Sequence, residues 1–145
     1  MYKKYKTVLV SGPICSGKTT LLTKYIDYMQ KQDDVTLVII DPKQVELTEY
    51  RKKGKAIYIA NNFEEYILDI LKPLIENRLK EEYPKSVIVV DEFAELSFNK
   101  KIVDFFNWMF INKEKLNLEL VLTSQLESVF NDIFIENSDV IIKLK

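Results

Sequence analysis

Thr7-Val8-Leu9-Val10-Ser11-Gly12-Pro13-Ile14-Cys15-Ser16-Gly17-Lys18-Thr19-Thr20 decides the fold. A short apolar run closes on Ser11-Gly12, and residues 18 to 32 then place Leu21, Leu22, Tyr25, Ile26 and Met29 on one helical face. Between strand and helix, Gly12 to Thr19 satisfies the pattern G-x-x-x-x-G-K-[ST]. Each residue type has a physical reason to be there. Glycine lets the backbone curl into a nest of N–H groups that binds anions. The helix adds the positive end of its dipole. Lys18 has the reach for β- and γ-phosphates, and the Thr19 hydroxyl is a ligand for Mg²⁺. Gly12, Pro13, Ile14, Cys15, Ser16, Gly17, Lys18, Thr19 and Thr20 therefore form the expected cradle for a nucleoside triphosphate. The bland alternative, a glycine turn before a helix, does not explain Lys18-Thr19.

Outward from this stretch, strand-like and helix-like segments alternate. Val35 to Ile40 is a β-branched run ending at Asp41-Pro42, and Ala56 to Ile59 is a further short strand. Residues 62 to 82 read as a helix with Phe63, Ile67, Ile70, Leu71, Leu74 and Ile75 inward; Pro73 should kink it or mark its true start. Ser86 to Val90 is the most strand-like run. Residues 100 to 114 form an amphipathic helix through Ile102, Phe105, Phe106, Met109 and Phe110. Leu118 to Leu122, a short helix and Val140 to Leu144 complete the chain. Continuous apolar strands separated by helices predict an α/β fold, a mainly parallel central sheet with helices on both faces. Polar residues follow the strand ends, where such sheets place ligands. No repeat or linker interrupts residues 1–145, which read as a single domain.

Composition narrows the function. One cysteine and no histidine exclude a disulfide framework and a Cys/His zinc site within one chain. A net charge of −1 gives no support for a high-affinity nucleic-acid-binding monomer, although a ring could gather a few lysines from each subunit. No apolar stretch approaches the roughly 20 residues that span a membrane, and Met1-Tyr2-Lys3-Lys4 is not followed by a signal-peptide core. A cytoplasmic protein without a membrane segment of its own is expected.

Two further strand ends carry acidic or polar groups. Val87-Ile88-Val89-Val90-Asp91-Glu92 delivers Asp91 to a strand tip, where it can hold Mg²⁺, and sets Glu92 beside it as base or water-positioner. Alone this signal is weak, because solvated acids often follow strands; behind a phosphate nest it is strong. Thr123-Ser124-Gln125 ends the next strand. On spacing alone it reads equally as a γ-phosphate sensor or as a helix N-cap.

Four segments carry a family resemblance: the phosphate loop, Ile40-Asp41-Pro42-Lys43-Gln44-Val45-Glu46-Leu47, Asp91-Glu92-Phe93-Ala94-Glu95-Leu96, and Leu120-Val121-Leu122-Thr123-Ser124-Gln125 with Ser128. In this order, across residues 7 to about 130, they resemble the motor core of the FtsK/SpoIIIE-HerA superfamily. The resemblance implies a RecA-like P-loop NTPase that hydrolyses ATP with Mg²⁺, and a ring oligomer that translocates or packages double-stranded DNA, as in phage or mobile-element ATPases. It makes Gln125 the sensor glutamine. Departures exist. The family's Arg-Pro after that glutamine is Leu126-Glu127 here, and Ile141 lies near the place of its final-strand arginine. The family's membrane region, preceding α subdomain and winged-helix domain are not in the sequence. Arg51 and Arg78 are the only arginines; Arg78, in the helix before Asp91, is the arginine-finger candidate, set against a plain solvated arginine. Lys100, Lys101, Lys113 and Lys115 are candidate DNA contacts or a solvated face. Cys15 reads as a small filler, and Phe105, Phe106, Trp108 and Phe110 as core. Two other readings are a nucleotide or small-molecule kinase, disfavoured by the lack of lid arginines, and a nucleotide-dependent switch that docks on a protein.

Overall fold

A computed structural model describes residues 6–52, 54–80 and 84–145. Six strands form one sheet: β1 (Thr7–Ser11), β2 (Val35–Ile40), β3 (Ile57–Ile59), β4 (Lys85–Val90), β5 (Leu118–Ser124) and β6 (Val140–Lys143). Their order is β3-β2-β4-β5-β1-β6, and every pairing is parallel. The strands are apolar on both sides because both faces are covered. On one face, α1 (Lys18–Gln30) lays Leu22, Tyr25, Ile26 and Met29 on Leu37, Ile39, Val87, Val89 and Val121. On the other, α4 (Lys100–Leu116) and α5 (Asp132–Glu136) pack Ile102, Phe106, Met109, Phe110 and Phe134 on Leu9, Ile88, Val90, Leu120 and Leu122.

The helical stretch expected over 62 to 82 is broken into pieces: α2 (Phe63–Tyr66), a π-helical turn (Ile67–Leu71), α3 (Lys72–Glu76) and a 3₁₀ turn (Asn77–Lys80). Glu81 and Glu82 lie outside the described residues, as do Met1 to Lys4. Pro73 does mark a true start, in the first turn of α3. It has no N–H and its ring crowds the carbonyl four residues back, so the turn before it widens to i→i+5. The wider turn keeps Ile67, Leu71 and Ile75, four apart, on the core side. Ile70 and Leu74, expected inward, point outward with 47% and 59% of their surface exposed.

The aromatic group of α4 is core as read. Phe105 and Phe106 are buried, Phe93 meets both Phe106 and Phe134 edge-on, and the half-buried Trp108 stacks on Phe105 at 6.3 Å. Asn99 caps α4, its Oδ1 accepting from the Ile102 N–H at 3.2 Å. Lys100–Lys101 and Lys113–Lys115 fall at opposite ends of α4, roughly 20 Å apart. Lys113 Nζ donates to the Asn137 carbonyl. These lysines do not form one patch on a single subunit.

Candidate active site

Strand order builds the site. β5 lies between β4 and β1, so the tip of β5 separates the phosphate loop after β1 from the acidic pair after β4. All three tips point to the same edge because the strands are parallel. A cleft of about 600 Å³ opens there. Ile14 to Thr20 line one wall, Asp91, Glu92 and Gln125 the floor, and Lys43, Val45 and Glu46 the far side.

The loop is shaped by two glycines. A Cβ on Gly12 would sit 2.9 Å from the Leu144 carbonyl oxygen and 2.7 Å from Ser16 Oγ. Gly17 has φ 99°, the left-handed region that glycine enters without strain, and it starts α1. No side chain caps α1 and no acid sits in its first turn. Its first regular bond runs from the Leu21 N–H to the Gly17 carbonyl, so the N–H groups of Lys18, Thr19 and Thr20 face the cleft end of the helix as open donors. Ser16 Oγ is buried with no partner among the described residues. Lys18 Nζ folds back on the carbonyls of Gly12 and of Pro13, 2.9 Å from the latter. Open donors, an orphaned hydroxyl and a lysine held only by loop carbonyls fit a polyphosphate. Cys15, read as a filler, is instead exposed at φ 66°, at the turn of the loop, where it fills no space.

The carboxylates are held by β5. Thr123 Oγ1 donates to Asp91 Oδ1 at 3.0 Å and accepts from the Glu92 N–H at 3.1 Å. Ser124 Oγ donates to Glu92 Oε1 at 3.0 Å, and the Gln125 N–H donates to Glu92 Oε2 at 2.9 Å. Thr123 and Ser124 hydroxyls thus serve the acidic pair and cap no helix; the 3₁₀ turn that follows (Glu127–Val129) has no side-chain cap. The Gln125 side chain is exposed to the cleft. Burial pushes the Asp91 carboxyl up to about 6; the Thr123 hydrogen bond opposes this, and the charges of Asp41, Glu92 and Glu46 add to it. Such crowding calls for a cation. Among the described residues no cluster of three acids forms a metal cage.

Sequence reasoning left Asp41 without a role. Asp41 is fully buried; its carboxylate accepts from Tyr58 Oη at 2.5 Å and from the Gln44 N–H at 3.3 Å. It thereby fixes the turn that carries Lys43 and Glu46 into the cleft. Arg78 does not line this cleft. It is half-buried on the 3₁₀ turn Asn77–Lys80.

A family model described as an AAA domain matches residues 3–130. Among solved structures, the cytoplasmic domain of EssC aligns with a TM-score of 0.80 at 14% identity, covering 96% of this chain and 32% of that one. The conjugation coupling protein TcpA of pCW3, solved with ATPγS, aligns at 0.74 and 21%, covering 95% and 48%. The genome packaging NTPase B204 of Sulfolobus turreted icosahedral virus 2, in complex with ATPγS, aligns at 0.66 and 18%, covering 99% and 76%. The chain thus spans about a third of the EssC chain. No curated protein matches it. These likenesses show the RecA-like P-loop fold. With that fold, the phosphate loop and the family match over most of its length, the chain belongs to the AAA domain family of P-loop ATPases.

Proposed function

We propose that the chain is an ATP-hydrolysing motor subunit that moves double-stranded DNA and works as a ring with its nucleotide clefts between subunits. The observation that carries this is the incompleteness of the cleft. Among the described residues its lining holds two cations, Lys18 and Lys43, against three carboxylates, Glu46, Asp91 and Glu92, and no arginine. A nucleotide would add further negative charge, and a neighbour's cation would balance it. The cleft wall also carries exposed apolar side chains: Ile14 and Val45, on the loops after β1 and β2, line it and are exposed by 71% and 67%. Exposed apolar side chains grouped around one cleft suit a protein interface.

In this reading the phosphates lie on the α1 N-terminus and Lys18. Thr19 and Asp91 would hold Mg²⁺, which would supply neutralisation of phosphate charge. Glu92 accepts the proton of the attacking water, and Gln125 contacts the γ-phosphate. Arg78 of an adjacent subunit is the finger candidate; a finger in trans can contribute roughly 10³–10⁵ in rate. DNA as the substrate is supported by the motif resemblance and by the likeness to a conjugation coupling protein and a genome packaging NTPase.

The test is ATP hydrolysis with and without duplex DNA. Duplex should stimulate the rate independently of its sequence, since phosphate contacts position but do not specify. Binding should weaken steeply between about 50 and 200 mM salt. An assembled, nucleotide-bound protein with no DNA stimulation and no salt-sensitive DNA binding would defeat the motor reading and favour a switch docked on a protein.

A further inference from the structure

The groups that hold Glu92 come from three consecutive residues of one strand tip. Thr123 Oγ1 takes the Glu92 N–H, Ser124 Oγ donates to one carboxylate oxygen, and the Gln125 N–H donates to the other. Glu92 itself sits at φ 61°, ψ 75°, a left-handed conformation unfavourable for a side-chain-bearing residue. Such a conformation persists only where its surroundings over-determine it. Ser124 is oriented as well: its Oγ accepts from the Leu126 N–H at 3.0 Å, which leaves its single proton for Glu92. Ser124 is fully buried, so no solvent competes for that proton.

We infer that Ser124 is a positioning residue that locks the Glu92 carboxylate to the backbone of Gln125, so that the proton acceptor and the γ-phosphate contact move as one unit. The inference rests on Glu92 acting as the base in the reading above. It assigns Ser124 no contact with nucleotide. A hydroxyl on the strand tip is needed, whereas a small apolar residue of the same size fills the space but loosens the carboxylate.

The test compares Ser124→Ala, Ser124→Thr and Glu92→Gln in the otherwise intact chain. Ser124→Ala should lower kcat at least tenfold, roughly the worth of one hydrogen bond to a charged group. KM and the affinity for a fluorescent ATP analogue should stay within about twofold, because the phosphate cradle is untouched. Ser124→Thr, which keeps the hydroxyl, should restore most of kcat. In nucleotide-free protein, the Leu126 amide should exchange hydrogen faster in Ser124→Ala than in Ser124→Thr. Adding Ser124→Ala to Glu92→Gln should cost nothing further. An unchanged kcat in Ser124→Ala, a loss shared equally by affinity, or a Thr variant as slow as the Ala variant would each overturn the inference. Normal hydrolysis by Glu92→Gln is a different failure, that of the base assignment itself.

Discussion

Asp91→Asn should make the nucleotide-free protein more stable at neutral pH while weakening the proposed Mg²⁺ site. The Asp91 carboxyl is raised from its ordinary 3.8 to about 6, first by burial and then by repulsion from Asp41, Glu92 and Glu46. The folded state therefore holds a proton on Asp91 that the unfolded chain has released between those values. Stability from the neutral acid is fully present below about 3.8 and is lost as the pH rises through about 6. At roughly 1.4 kcal/mol per pH unit, the ionised carboxylate costs about 3 kcal/mol once both values are passed. Asparagine keeps an oxygen to accept from the Thr123 hydroxyl and carries no charge to bury. The variant should gain about 2–3 kcal/mol at pH 7.5, roughly 5–10 °C in Tm for a chain of this size. Urea titrations of both proteins, without Mg²⁺ or nucleotide, from pH 4 to pH 8 measure it. The gap should close toward pH 4. A variant less stable than wild type at pH 7.5, or a gap that does not change with pH, refutes the reasoning.

Other perturbations separate the remaining parts of the site. Lys18→Ala removes a charge from the phosphate wall and should weaken ATP binding about ten- to a hundredfold in a fluorescence titration. Gly12→Ala forces a methyl group against the Leu144 carbonyl and Ser16 Oγ; it should destabilise the fold by roughly 1–3 kcal/mol in urea and reduce nucleotide affinity together. Specific ATPase activity should rise with protein concentration, and Arg78→Ala should flatten that rise at unchanged ATP affinity; constant activity from a strict monomer counts against catalysis across an interface.

What the sequence made legible was local. The phosphate loop, its strand and its helix occupy one contiguous stretch, and their residue types have few alternative uses. Asp91-Glu92 was legible for the same reason, at the end of four apolar residues, Val87 to Val90. Arrangements that depend on strand order were not. Thr123 reaches Asp91 across 32 residues only because β5 is inserted between β4 and β1. The signal for it was a pair of hydroxyls closing the apolar run Leu120 to Leu122, both buried in the fold. Asp41 was noticed in a motif, but its role depends on Tyr58, which β3 brings alongside. Ile70 and Leu74 were misplaced because 3.6-residue periodicity does not survive the widened turn before Pro73.

The central claim is that one cleft binds ATP through the loop after β1 and cleaves it with Glu92 after β4. Single-turnover γ-phosphate release, wild type against Glu92→Gln at saturating Mg²⁺ and ATP, tests it most directly. The account predicts equal nucleotide occupancy, with release slowed by about 10²–10⁴ in the variant, the usual worth of a positioned base. Equal release rates at equal occupancy would contradict it.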